Sequence, residues 1–461
     1  MNPHRWKLLQ IVNIGTFMST LDTGIVQVAL PSMAEQYGAS LAGTQWVVTG
    51  YLLTLVSLLP LFGKWSDRTE RRRLYGLGFL FFTAGSLLVA CSEPFGLAAL
   101  VAARCVQGAG AALIMANSQA MVRLLFPDHE RGRALGVNAV VISLGTLLGP
   151  AAGGLLLEWT SWPVLFLINL PFGAVAAVCA WRLFPSNEAN PKGSVDWFGS
   201  VLLAVIACTL IAVSSRVEQT GFDPASWGWI GTAGLLLAAF WLYERRLDHG
   251  ILDPVLYRNR SIAIGNFSGF MIHLVQMAAA IPVTFYMQSV LGMPAGRIGG
   301  ILALQALFMG FSAPAAGWIR DRFGAGVPVI SGPFLCAVST LWIVFGTIDI
   351  VSISAFLILS GTGIGLFQAT NSAEIMSAAP DGKVSLVGSM LALVRYLGMA
   401  FGTGLAVLFV GGIGGTAAAS ADAYAAGMKH LFMLCGAASL LTAAAGFWRP
   451  RPKPRANAQH P

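Results

Sequence analysis

Two residues of opposite charge lie deep inside apolar sequence: Asp22 within LDTGIVQVALP and Arg104 within LVAARCVQGAGAA. An ionisable group at the centre of a bilayer-spanning helix costs about 2.5–3.5 kcal/mol on insertion scales, so it normally turns to a partner or a cavity. Each is the natural partner of the other. Burial favours a neutral carboxyl and a neighbouring guanidinium favours a carboxylate, so the balance can change with conformation. Asp22 can then take a proton in one state and release it in another; the plainer role is an ion pair that fixes helix packing. Glu374, in NSAEIMSAAP, is a second candidate proton or cation site, or an acid wetted at a helix end. Three roles are open to Arg395: neutralising Glu374, attracting an anionic group of a bound molecule, or holding a structural partner. His273 titrates near neutrality if exposed to water, or is a hydrogen-bonded packing residue.

These residues need membrane helices to hold them. The 461 residues are 56% hydrophobic and only 10% charged, against about 25% charged in soluble domains. The mean hydropathy is +0.71. Apolar runs of about 20 residues, enough to cross a bilayer as a helix, recur along the whole chain. We read about fourteen spans, near 10–30, 44–63, 74–91, 98–125, 134–157, 163–183, 196–215, 227–244, 261–289, 298–318, 326–347, 351–378, 384–410 and 429–448. A cytoplasmic N-terminus puts about 23 of the 28 Lys and Arg on inner loops and tails, so both termini are expected inside a plasma or inner membrane. The first run is long, contains Asp22 and lacks a cleavage pattern, and reads as a span rather than a signal peptide. The six cysteines lie in apolar runs without metal spacing, so neither disulfides nor metal are expected.

The loop GKWSDRTERRR (63–73) has a counterpart in GWIRDRFGAG (317–326): Gly63, Asp67 and Arg68 align with Gly317, Asp321 and Arg322. Each follows the second span of a six-helix group. The expected organisation is therefore an N-terminal six-helix half (1–185), two inserted helices (186–258), a C-terminal six-helix half (259–448) and a basic tail (449–461). Internal repeats of this kind are typical of secondary transporters, whose site lies between the halves near the midplane.

With these motifs in order, the chain resembles the major facilitator superfamily, in its fourteen-helix drug:proton antiporter branch. LDTGIVQVALP is similar to that branch's first-span motif, GKWSDRTERRR to its G-x-L-A-D-R-x-G-R-K loop, and LVAARCVQGAGAA to its R-x-x-Q-G-x-G pattern. GTLLGPAAGG (145–154) fits the G-x-x-x-G-P-x-x-G-G antiporter motif throughout, and TQWVVTGYLL also resembles the branch. Two positions depart: Glu70 stands where the loop motif has its second glycine, while the second copy keeps Gly324, and the tenth span has no acid.

The resemblance implies an all-α major facilitator fold. It implies proton coupling through Asp22 and Arg104, to which Glu374 is added as the second candidate proton site, and a cytoplasmic gate built from Gly63, Asp67, Arg68, Arg71, Arg72, Gly317, Asp321 and Arg322. It assigns shaping of the outward gate to Gly145, Gly149, Pro150, Gly153 and Gly154, which as small residues equally serve tight packing. It places Gln27, Trp46, Tyr51, Asn117, Asn138, Gln305, Gln368 and Asn371 on cavity-lining helices, with His273 and Arg395, although each alone is also an ordinary helix contact.

The implied activity is proton-driven export of a small hydrophobic or amphipathic molecule, with no cofactor and no nucleic acid. An importer or facilitator on the same fold is the rival. A sensor or scaffold would need a longer soluble segment, and a membrane enzyme a clustered catalytic site. There is no G-x-x-x-x-G-K-[ST] loop for ATP, and the glycine run GTGIG (361–365) lies inside a span. A monomer is expected, and no accessory export partner can be read from the chain.

Overall fold

The computed structural model describes residues 4–449 except Pro127, most of 185–222, and segments 247–255, 381–383 and 415–420. Helices account for nearly all of it, and no strand occurs among the described residues. In lipid every backbone donor and acceptor must be met within the segment, which leaves helices as the solution for runs this apolar.

The first group comprises α1 (Arg5–Tyr37), α2 (Leu41–Arg68), α3 (Arg71–Ala90), α4 (Leu97–Leu125), α5 (Asp128–Trp159), α6 (Trp162–Leu167) and α7 (Asn169–Leu183). The sixth span is thus broken at Ile168. Pro171 cannot donate to the carbonyl of Leu167, which accounts for a break one turn earlier. The peripheral α8 (Pro224–Glu244) follows; only 17% of its apolar stretch is buried. The expected span 196–215 lies largely outside the described residues, but Phe198 packs edge-on against Tyr243 of α8 with ring centroids 4.9 Å apart.

The second group comprises α9 (Arg260–Phe285, extended by a π-turn Tyr286–Val290), α10 (Ala295–Phe323), α11 (Gly326–Phe345), α12 (Ile350–Ser377), α13 (Val384–Gly414) and α14 (Ala421–Phe447). Among the described residues, ten helical segments are long and apolar enough to cross a membrane by length and composition. Helix starts are set by side-chain caps: Ser40 accepts from the Gly43 amide, Asp223 from Ser226 and Asp349 from Ser352. Gly38 ends α1 in the left-handed region at φ 57°.

Within each group the same pairings recur. In the first, α1 packs on α5, α2 on α4 and α3 on α4; in the second, α9 packs on α13, α10 on α12 and α11 on α12. The groups meet chiefly through α5 on α10 and α2 on α13. The starts of α1 and α3, with Arg5 and Arg71–Arg73, and the end of α10, with Arg320 and Arg322, form a basic end of the bundle.

Candidate functional site

Asp22 and Arg104 meet as expected. Asp22 Oδ2 accepts from the Arg104 guanidinium at 2.7 Å, with both side chains 1% exposed. Asp22 Oδ1 accepts from Gln107 Nε2 at 2.8 Å and, at 3.5 Å, from Asn169 Nδ2. Gln107 Oε1 accepts from Arg104 at 2.5 Å, and Arg104 Nε donates to the Val47 carbonyl at 3.1 Å. The guanidinium also lies 4.4 Å from the centre of the Tyr51 ring. The glycines after Arg104 make this convergence possible. A Cβ on Gly108 would stand 2.7 Å from the Tyr51 carbonyl oxygen, and one on Gly110 2.2 Å from the Phe82 amide nitrogen. α4 therefore lies backbone to backbone on α2 and α3, carrying Arg104 and Gln107 to α1.

A cavity lies between the two groups of helices, with about 1030 Å³ of empty space including its mouth. Gln27, Gln305, Gln368, His273 and Arg395 line it, as expected. A second chamber shares Thr20, Ile142, His273, Gln368, Arg395 and Tyr396 with the first and adds Asn138 and Asn371. Asn138 lies early in α5 and Gly388 early in α13, so this chamber extends towards the basic end. Gln27 donates to Met277 Sδ at 3.5 Å and Gln305 to Ser360 Oγ at 3.0 Å. Asn138 donates to Asn13 Oδ1 at 3.1 Å and Thr16 Oγ1 at 3.0 Å, and Asn371 donates to the Gly265 carbonyl at 3.1 Å.

Three residues expected on the wall are elsewhere. Tyr51 is buried in the ion-pair cluster, its hydroxyl 3.1 Å from Ser19 Oγ. Asn117 is buried between α2 and α4, hydrogen-bonded to Ser66 and to the Leu113 carbonyl. Trp46 is half-buried and belongs to neither chamber. Asn117 sits on α4, which lines the second chamber with another face, whereas Tyr51 and Trp46 sit on α2, which contributes none of the described lining residues. Conversely, Ser19, Thr20, Gln276 and Tyr396 are on the wall and were not singled out.

No ion pair joins Arg395 to Glu374. Arg395 stays at the cavity wall, its guanidinium 5.0 Å from the centre of the Tyr396 ring. Glu374 lies outside both chambers, in the field of Arg449. Burial holds the Arg449 guanidinium below the usual arginine range, and the Glu374 charge acts in the opposite sense.

The glycine motif of α5 faces two ways. A Cβ on Gly145 would meet Thr20 Oγ1 at 2.0 Å, one on Gly149 the Leu21 carbonyl oxygen at 2.7 Å, and one on Gly153 the Ile25 Cα at 3.1 Å. All three pack on α1. Gly154 instead meets α10, where a Cβ would stand 2.6 Å from the Ala295 carbonyl oxygen. A Cβ on Gly299 would likewise stand 2.2 Å from the Pro150 carbonyl oxygen. Pro150 lines the cavity, so this seam closes it on the side away from the basic end.

At the basic end, α2 stops at Arg68 and α3 starts at Arg71. The side chains of Asp67, Arg68 and Asp321 lie outside the described residues. Glu70 pairs with Arg72, and with Arg73 at 2.6 Å. The substitution at this motif position has a backbone explanation. Gly324 has φ 89°, a region that favours glycine, whereas Glu70 has φ −69°, open to any residue. Neither Gly63 nor Gly317 has a neighbour within 4 Å of an added Cβ. Arg71 is half-buried, while Arg322 is exposed and lies over the rings of Trp318 and Phe323.

Comparison with known proteins agrees with this architecture. The family profile described as Major Facilitator Superfamily matches residues 12–403. The chain is 31% identical over 403 residues to the riboflavin transporter RibZ of Clostridioides difficile, covering 87% of each chain. It is 30% identical to the tetracenomycin C resistance and export protein of Streptomyces glaucescens, over 89% of this chain and 77% of that one. The multidrug resistance protein Stp of Mycobacterium tuberculosis is 28% identical over 87% of this chain and 75% of its own. Among solved structures, a POT family transporter in complex with 5-aminolevulinic acid superposes with a TM-score of 0.70 at 15% identity, covering 95% of each chain. The profile and the relatives together establish a multi-pass membrane transporter: the chain belongs to the Major Facilitator Superfamily, on the side of it that holds multidrug resistance and antibiotic export proteins.

Proposed function

We propose that the chain is a proton-coupled antiporter of the cell membrane that exports small hydrophobic or amphipathic molecules by alternating access. The observation that carries this reading is the cavity between the helix groups. It extends towards the basic end and is bordered on the other side by the close Gly154–Gly299 seam. With basic residues facing the cytoplasm, both termini lie inside and this is the state that loads from the cytoplasm. Export follows when residues 1–185 and 259–448 rock about the cavity, parting the seam and closing the basic end. Asp67 and Asp321 are assigned to that closure, with the arginines around them.

The link from cavity to proton site runs through Ser19. It lines the cavity, its Oγ meets the Tyr51 hydroxyl, and the Tyr51 ring lies under the guanidinium that holds Asp22. A substrate pressing on Ser19 therefore acts on the pair at one remove, and proton exchange at Asp22 requires that the Arg104 contact loosen in the other state. Glu374, outside the cavity, is assigned no part in substrate contact. Each proton entering is worth roughly 2.3 kcal/mol per 100 mV of membrane potential.

The test is a drug and metabolite panel in an efflux-deficient host, paired with collapse of an imposed pH gradient in everted vesicles. Gradient collapse by a compound to which the protein confers resistance supports the reading. A panel without any such compound refutes it. The rival, a proton-coupled importer or facilitator, gains from a relative named for riboflavin rather than for a drug. Whole-cell uptake of that compound class decides between the two.

A further inference from the structure

The cavity is electrostatically one-sided. Among the described residues lining its two chambers no aspartate or glutamate occurs, and the ionisable side chains are Arg395, His273 and Tyr396. The nearest acids along the lining helices are committed elsewhere. Asp22, on α1, is saturated by Arg104, Gln107 and Asn169, and Glu374, on α12, lies outside both chambers beside Arg449. Among the described residues Arg395 has no carboxylate partner; its guanidinium lies over the face of Tyr396. A guanidinium held near the middle of a membrane without a counter-charge is costly, and the cost falls when an anion enters beside it.

The remaining polar groups are neutral and adaptable. His273 Nδ1 is 2.7 Å from the Gly269 carbonyl oxygen, which only accepts, so Nδ1 carries the proton and Nε2 is the acceptor of the neutral ring. Gln276 and Gln368 have side-chain amides without partners among the described residues. The apolar part of the lining is made by Met277, Leu302, Met309, Phe356 and Leu357.

We infer that this cavity selects amphipathic organic anions, an apolar body bearing one acidic group, and that Arg395 is the residue that sets the charge preference. The inference rests on the proposed transport site and narrows its substrate class. The acid pairs with the Arg395 fork, the amides of Gln276 and Gln368 take neighbouring polar atoms, and the body lies on the Met277–Phe356 wall. A lipophilic cation meets an uncompensated positive charge at the same point and is rejected.

The test uses the full chain purified into nanodiscs and matched probes: the carboxylate, carboxamide and methylammonium derivatives of naphthalene, biphenyl and phenanthrene. Binding is read as ligand-induced thermal stabilisation, titrated to an affinity. The carboxylates are expected to bind roughly 10- to 100-fold tighter than the amides, the span of a charge-assisted hydrogen bond, with the ammonium compounds weakest. Arg395→Gln is expected to level the three, and Arg395→Lys to keep the order with reduced contrast. The wild-type ranking stands as a test without any variant. Ammonium compounds binding best, amides equal to carboxylates, no probe binding at all, or an unchanged preference in Arg395→Gln overturns the inference. Proteoliposome transport of the same probes separates the two claims. A carboxylate bound through Arg395 but not moved counts against the transport reading alone, whereas an ammonium compound moved well counts against the charge selection alone.

Discussion

The pair Asp22–Arg104 allows its structural and functional roles to be measured apart. In Asp22→Asn the amide still reaches Gln107, but the Arg104 charge, 1% exposed, loses its only carboxylate. Removing one partner of a buried pair costs about 3–5 kcal/mol, while removing both charges together is often close to neutral. Asp22→Asn should therefore lower the thermal midpoint of the purified protein by several degrees. The double variant Asp22→Asn with Arg104→Gln should recover most of that loss, because Gln107 and the Val47 carbonyl remain as partners for neutral amides. Both variants are then tested for collapse of a pH gradient by a compound the wild type exports. The double variant is expected to insert, fold and bind, but not to couple. If Asp22→Asn is as stable as wild type, the buried pair is not what holds these helices. If the double variant still couples to protons, Asp22 is a packing residue and the proton site lies elsewhere.

Other perturbations reach different parts of the mechanism. Gly299→Val drives its side chain into the Pro150 carbonyl, an overpacking of about 1–3 kcal/mol, and should bias the protein away from the closed seam; increased labelling of a cysteine placed beside Gly154 checks this. Tyr51→Phe deletes the hydroxyl that meets Ser19 at a cost of about 1 kcal/mol, and should slow coupled transport while leaving equilibrium substrate affinity nearly unchanged. Glu70→Gly breaks two interfacial ion pairs and should alter stability by less than about 1 kcal/mol with transport retained, whereas Asp67→Asn should abolish transport with insertion intact. The Asp349 carboxyl is held below the ordinary range by the Ser352 amide, so its contribution is full at neutral pH and is lost as pH falls through the lowered value. Hydrogen exchange at the start of α12 should accordingly rise below about pH 4, and Asp349→Ala should remove that dependence.

The parts legible in the sequence are those whose cost is local. An acid and a base inside apolar runs announce that they need partners, which is why Asp22 and Arg104 could be paired. A run of small residues announces backbone contact, which is why the α5 glycines were recognised. The direction of a side chain is less legible. Asn117 sits on α4, which does line the second chamber, yet successive residues turn by about 100° and its side chain meets α2 instead. Tyr51 and Trp46 lie on α2, which contributes none of the described lining residues, and Tyr51 enters the ion-pair cluster. Gln107 lay within a recognised motif, but its role depends on Ser86 and Asn169, which come from two other helices. The pairing of Glu374 with Arg395 failed for the same reason. Both lie at plausible depths, but α12 and α13 orient them to different neighbours. Glu70 could be weighed only once the backbone angle of its turn was known.

Gly153 and Gly154 are neighbours in sequence, yet one packs on α1 of its own helix group and the other on α10 of the opposite group, the contact that must come undone in the proposed cycle. Three glycines weld α5 to α1, so whatever moves Asp22 also moves α5 as a single blade. The fourth rests backbone on backbone against Ala295, Gly296 and Gly299 of α10, with the Glu158 side chain lying over Gly296 beside it. In the proposed cycle this short glycine contact, with the Glu158 side chain, is what parts and re-forms. In the proposed cycle, the contact that ties α5 to the helix of Asp22 and the contact about which the halves turn therefore share one helix, a single residue apart.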